Sequence, residues 1–197
     1  MRITSWNVRG LSAPDKRCLV KRTLAKLEAD IVILQETKLN DEKALEFMKY
    51  CSSWNGYFQT ARGSAGGLGI MWNPSNVSVA PIISNEFWMA CSISGIGTNL
   101  CFPLFNIYGL TKTMDKFRVW QEVTNQVAQL ELDKVIIVGD FNALLDIDEK
   151  EGGLRKSTKG MDDFRDFVSN CKLVDIIPKN GKFTWTNRRL NFSKFSE

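Results

Sequence analysis

Three short stretches of the chain carry polar side chains suited to a single kind of chemistry. Trp6-Asn7, Gln35-Glu36 and Gly139-Asp140-Phe141-Asn142 each close a run of residues with strand character. They bring two carboxylates, Glu36 and Asp140, and two carboxamides, Asn7 and Asn142, with neither thiolate nor imidazole beside them. Such an all-oxygen set suits a hard cation. Mg²⁺ binds through one or two carboxylates and keeps several waters for a substrate phosphate, and Mn²⁺ is the alternative ion. Strand ends at one edge of an α/β sheet are good places for this, because rigid strands fix the side chains and loops stay open to ligand. Each stretch also has a plain structural reading. A glutamate after an apolar strand is commonly a solvated end or a helix cap, and the glycine of GDFN permits a tight strand exit. The order and strand context of all three together point to a site.

Composition narrows the field. The 197 residues are 44% hydrophobic and 24% charged, with six tryptophans and twelve phenylalanines, enough for one domain with a sizeable core. No apolar run approaches the roughly 18 residues of a membrane span, and MRITSWNVRG lacks a signal peptide's apolar stretch. Cys18, Cys51, Cys91, Cys101 and Cys171 are scattered without a CxxC, so they are expected as reduced, mostly buried thiols. There is no histidine, which argues against zinc and removes the commonest general base. The net charge is +4, with basic residues crowding both ends around an acidic stretch from Glu131 to Glu151. That pattern suits a polyanion held over a cation-binding centre, and equally an ordinary solvated surface.

The elements that would position these groups follow from periodicity. Residues 2–8 read as a strand. Ser12 and Pro14-Asp15 mark a helix start, with Ser12 as the capping oxygen and Val20, Leu24, Leu27 and Ile31 at helical spacing. Ile31–Leu34 and Val135–Val138 are continuous apolar runs, expected as strands buried on both faces. A helix from Asp41 to Cys51 should turn Leu45, Met48 and Cys51 to one side. Strands are expected over 57–61, 68–72, 77–83, 87–93 and 100–108, a helix over about 116–130 with Phe117, Trp120, Val123, Val127 and Leu130 at helical intervals, another over 161–171, and a last strand at Lys182–Asn187. Without repeats or linkers, this is one α/β domain spanning 1–197.

The strings SWNVRGL (5–11), ILQETK (33–38), GSAGGLGIMW (63–72), FNIYGL (105–110), VGDFNALLDIDEKEGG (138–153), FVSNCKLVDI (167–176) and GKFTWTN (181–187) run in order through the chain. Through them the chain resembles the endonuclease/exonuclease/phosphatase superfamily, and within it the endonuclease domain of LINE-type (non-LTR) retrotransposons. The resemblance implies a DNase I-like four-layer α/β sandwich: two packed, mostly antiparallel or mixed sheets flanked by helices. It implies Mg²⁺ held by Glu36, with Asn7 on the metal or steadying the carboxylate. Asp140 should orient or activate the attacking water, Asn142 donate to a phosphate oxygen, and Tyr108 bind the phosphate with Asn106 in support. Asp175, Trp185, Arg9, Lys38, Arg62, Arg188 and Arg189 are candidate contacts to the substrate, and Gly66-Gly67 matches a glycine pair leading into a strand.

The family pattern continues with a strand carrying R-[IL]-D and a closing Ser-Asp-His segment, whereas this chain reads NRRLNFSKFSE and stops. The expectation is a domain lacking its final strands, slow at nicking DNA and marginally stable or self-associating. By resemblance the partners are DNA and a reverse transcriptase domain of the same polyprotein, and the place of action is intracellular, in the nucleus. Two other readings stand beside it: a non-catalytic truncated remnant that at most binds nucleic acid, and a phosphatase or sphingomyelinase on the same fold.

Overall fold

Ile31–Gln35, the first apolar run, forms a strand (β2) buried at every residue. The reason lies on its two faces. Val32 and Leu34 pack with Val20 and Leu24 of one helix (α1, Pro14–Lys26) and Ala44 and Phe47 of another (α2, Asp41–Tyr50). Ile31 and Ile33 turn the other way, to Met89, Cys91, Ile93 and Leu104 of a second sheet. A strand with apolar partners on both faces has no polar alternation to show.

The computed structural model describes residues 1–61, 66–130, 134–152, 156, 158–177, 179–180 and 183–184. Its further elements are β1 (Ile3–Asn7), β3 (Asn55–Gln59), β4 (Leu68–Trp72), β5 (Val77–Ser84), β6 (Trp88–Gly95), β7 (Cys101–Tyr108), α3 (Thr113–Gln129), β8 (Ile136–Asp140) and α4 (Lys159–Asn170). They fall into two compact units, Met1–Gly109 with Leu132–Asp140, and Leu110–Glu131 with Phe141–Glu197.

The first unit holds all the described strands, in two mixed sheets ordered β1-β2-β4-β3 and β5-β6-β7-β8. This is the α/β, two-sheet class that the motifs imply. In the first sheet β1 is parallel to β2, and β4 is antiparallel to both β2 and β3. In the second, β5, β6 and β7 form an antiparallel meander and β8 lies parallel to β7. Asp30 ties the start of β1 to the β4–β5 turn by accepting from the Arg2 amide at 2.7 Å and from Asn76 at 2.7 Å. Those bonds hold its carboxyl below the usual carboxylate range. Burial pushes the Cys51 and Cys91 thiols up to about 11, whereas Cys18 and Cys101 are exposed.

The second unit is built on α3 and α4. Trp120 packs on Phe141, Phe164 and Phe167 with ring centroids 6.0, 5.2 and 4.9 Å away, and Thr124 meets the Cys171 sulfur at 3.5 Å.

Four expectations change. Ser12 does not cap α1: the N-cap is Ala13, with no side-chain bond, and the Ser12 hydroxyl donates to the Lys38 carbonyl instead. The buried side of α2 is Ala44, Phe47 and Cys51, with Leu45 66% exposed, since Ala44 and Phe47 are the residues that pack on Val32 and Leu34 of β2. β8 is half-buried along its length rather than fully buried; among the described strands it is last in its sheet, paired only with β7. Phe117 is on the exposed side of α3, whose buried residues are Val119, Trp120, Val123 and Val127. The strand expected at Lys182–Asn187 lies mostly outside the described residues.

Candidate active site

Parallel pairing sets the geometry of the site. Asn7 ends β1 opposite Gln35 at the end of β2, and Tyr108 ends β7 opposite Asp140 at the end of β8. Chains that run parallel deliver their C-terminal ends to the same edge. Asn7 then joins the two sheets directly, its amide nitrogen donating to Asp140 Oδ2 at 2.5 Å. The Asn7 amide oxygen accepts from the Arg9 backbone N–H at 3.0 Å, so both ends of the carboxamide are fixed. The carboxylate it steadies is that of Asp140.

Past the strands, the two chains stay in register. Gly10 N–H donates to the Glu36 carbonyl at 2.7 Å and Leu11 N–H to the Thr37 carbonyl at 2.8 Å. The backbone there is left-handed at Arg9 (φ 49), Glu36 (φ 54) and Lys38 (φ 53), a region that costs an ordinary residue roughly 1–2 kcal/mol. The glycine pair compensates from the other side: Thr37 N–H donates to Gly67 O at 3.0 Å and Lys38 N–H to Gly66 O at 3.1 Å. A side chain at Gly67 is excluded, because a Cβ there would sit 2.4 Å from Thr37 Oγ1. Glu36 is thus held at a bend clamped by backbone bonds on both sides.

Beneath the site a buried amide pair links the sheets. Gln35 Nε2 donates to Asn106 Oδ1 at 2.8 Å and to Ser5 Oγ at 3.1 Å. Asn106 in turn donates to the carbonyls of Leu34 at 3.0 Å and Gly69 at 3.2 Å. Asn106 is fully buried and its amide is committed to these partners, so it positions the strands and does not meet substrate. That corrects its place among the substrate contacts. Gln35 was legible only as a polar strand end; its inward turn depends on a partner 71 residues away.

The charges gather at the same edge. Glu36 Oε1 pairs with Lys38 Nζ at 2.9 Å. Burial first, and then the negative charges of Glu36 and Asp140, raise the Tyr108 phenol above its ordinary 10.0. It therefore stays a neutral O–H donor through physiological pH. That two carboxylates act on one half-buried phenol marks this edge as one where a cation would be welcome. The carboxylates of Glu36 and Asp140 are hard oxygen donors of the kind that Mg²⁺ or Mn²⁺ takes. Among the described residues no three His, Cys, Asp or Glu side chains gather as a metal cluster. An ion here would rest on one or two carboxylates and water, as Mg²⁺ does.

Arg9 is exposed on the loop after β1. Asn142 belongs to the second unit, where its backbone is left-handed (φ 47) and its carbonyl accepts from the Lys116 ammonium. Asp175 is exposed in that unit between Val174 and Ile176. Arg62, Trp185, Arg188 and Arg189 lie outside the described residues.

Comparison with known proteins bears on this geometry. The model of the Endonuclease/Exonuclease/phosphatase family matches residues 4–194. DNA-(apurinic or apyrimidinic site) endonuclease 2 of Bos taurus is 35% identical over 81 residues, and that of Xenopus laevis 39% over 70 residues. Each match takes in 36% of this chain but only 16% and 13% of those proteins, so the chain spans less than a fifth of their length. Among solved structures, the endonuclease domain of TRAS1, a telomere-specific non-LTR retrotransposon, is similar with a TM-score of 0.62 at 15% identity. The 3′ phosphatase NExo from Neisseria, bound to product DNA hairpin, gives 0.61 at 20%. Both alignments cover 86% of this chain and 71% of the other. At those identities the likeness shows the fold, which is the DNase I-like one.

Proposed function

The chain belongs to the endonuclease/exonuclease/phosphatase family, and from that premise we propose that it is a Mg²⁺-dependent phosphodiesterase that nicks DNA. The observation that carries the reading is the Asn7–Asp140 bond. It joins the ends of two sheets so that Glu36, Tyr108 and Asp140 share one edge. Nuclease and phosphatase chemistry is what the family has in common, and two of the similar proteins above are named for work on DNA.

In this reading Asp140, steadied by Asn7, orients a water for in-line attack on the phosphorus and accepts its proton. Glu36 holds the ion, which when bound supplies charge neutralisation at the phosphate oxygens. Tyr108 donates its phenol O–H to a non-bridging oxygen where negative charge grows, and the Asn142 amide is the second donor. Arg9, Arg62 and Arg188 track neighbouring phosphates, which contribute affinity without reading sequence. Trp185 and Asp175 are further candidate contacts to the substrate, an aromatic ring being able to stack on a base or sugar. The chain holds no histidine. A positioned imidazole base is worth about 10²–10⁴ in rate, so turnover by Asp140 alone is expected to be slower by that order.

Within the family we place the chain with the retrotransposon endonucleases. Its nick would leave a 3′-hydroxyl on chromosomal DNA in the nucleus, from which a reverse transcriptase domain of the same polyprotein extends. The likeness to NExo favours one second reading, removal of a phosphate from a DNA 3′ end. A panel of three substrates separates them: supercoiled plasmid, a duplex with one abasic site, and a duplex with a 3′-phosphate, each in Mg²⁺. The proposal expects relaxed plasmid circles as the fastest product. Phosphate release without plasmid nicking would replace it with the phosphatase reading.

A further inference from the structure

Lys38 is seated with care for a residue at an open edge. Its ammonium lies 2.9 Å from Glu36 Oε1, with 36% of the lysine side chain and 19% of the glutamate side chain exposed. Its stem runs across Gly10, where a Cβ would come within 3.4 Å of Lys38 Cδ, and Gly10 is left-handed (φ 96). Its backbone is itself left-handed (φ 53), and both its main-chain groups are engaged, the N–H by Gly66 and the carbonyl by Ser12. Three features of the loop therefore aim one cation at the carboxylate that the reading above assigns to the metal.

A divalent ion bound at Glu36 would sit within a few ångströms of this ammonium, and the two positive charges then repel each other at the one carboxylate they compete for. We infer that Lys38 is a resident counter-ion of Glu36, which a divalent ion displaces and which then turns to the substrate phosphate. The inference rests on Glu36 as the metal ligand. Its consequence is a coupling. While Lys38 stays on Glu36 it weakens metal binding, and once displaced it becomes a free donor to DNA, so metal and DNA each favour the other's binding. An ammonium that trades a carboxylate for a phosphate keeps its charge paired throughout, which makes the exchange cheap in electrostatic terms. The device sets the ion's affinity low when no substrate is present.

The test reads Mn²⁺ binding by electron paramagnetic resonance and binding of a fluorescein-labelled DNA duplex by anisotropy, with and without Mn²⁺. Removing the competing charge should tighten Mn²⁺ binding in Lys38→Gln by roughly fivefold, after allowance for solvent screening. Lys38→Arg keeps the charge and should bind Mn²⁺ like the unsubstituted chain, which separates loss of charge from loss of fold. Lys38→Gln should match it in duplex affinity without metal and fall about threefold below it with Mn²⁺. Mn²⁺ affinity that is equal or weaker in Lys38→Gln overturns the inference, as does a loss of duplex affinity that is the same with and without metal. Glu36→Gln serves as the control. If it binds Mn²⁺ as well as the unsubstituted chain, the metal assignment fails and this inference with it; if it does not, any failure belongs to Lys38 alone.

Discussion

Tyr108 shows how a residue's surroundings prepare it for one task. Half-buried and facing the negative charges of Glu36 and Asp140, its phenol holds its proton past the ordinary 10.0, so it can donate to phosphate but not act as a base near neutrality. Tyr108→Phe removes one donor and leaves the ring packed. Loss of a single preorganised donor lowers kcat by about 10²–10³ in other acyl- and phosphoryl-transfer sites. A drop toward that range with little change in KM, in steady-state nicking, is the expected outcome; a change confined to KM would make Tyr108 a ground-state contact. Asn7, Glu36, Tyr108 and Asp140 were legible in the sequence because each closes a strand in a characteristic string. The inward turn of Gln35, the pairing of Lys38 with Glu36 and the direction of the Asn7 amide were not. Their roles come from partners across the chain, the Asn106 amide, the Glu36 carboxylate and the Asp140 carboxylate, and local pattern holds no record of those pairings.

The strand ends are only as precise as the strands beneath them. Gly139 shows this most sharply. It lies opposite Ile107 in the β7–β8 ladder, and a Cβ on it would fall 2.0 Å from the Ile107 carbonyl oxygen. Gly139→Ala must therefore push β8 from β7 at the residue before Asp140. Overpacking of this kind costs typically 1–3 kcal/mol, and a shift of about 1 Å at a catalytic group can cost 10²-fold in rate. Thermal unfolding should show the first and nicking the second; a variant with unchanged stability would mean that the two strands part easily. Sequence reading found glycine here for its tight strand exit, whereas the structure makes close approach to β7 the stronger reason. Strands such as Ile31–Gln35 and Leu68–Trp72 were plain from apolar run length. The inward faces of α2 and α3 were harder, because helical spacing alone admits neighbouring residue sets, and packing chose Phe47 over Leu45 and Val119 over Phe117.

At the scale of the molecule, two sheets give the first unit a continuous core in which β2 is buried on both faces. That rigidity lets four polar side chains stand at one edge without drifting. The second unit has a core of its own, an aromatic cluster of Trp120, Phe141, Phe164 and Phe167, and Asn142 follows Phe141 in that unit. The family model spans both units, residues 4–194. In the proposed function Glu36 is the residue on which metal dependence rests. Nicking of supercoiled plasmid in Mg²⁺, compared between the unsubstituted chain and Glu36→Gln and repeated in EDTA, tests it most directly. The account predicts slow nicking that EDTA abolishes and that Glu36→Gln lowers by at least about 10²-fold, on the scale of losing a principal electrostatic group. Nicking that persists in EDTA, or proceeds equally fast in Glu36→Gln, would contradict it.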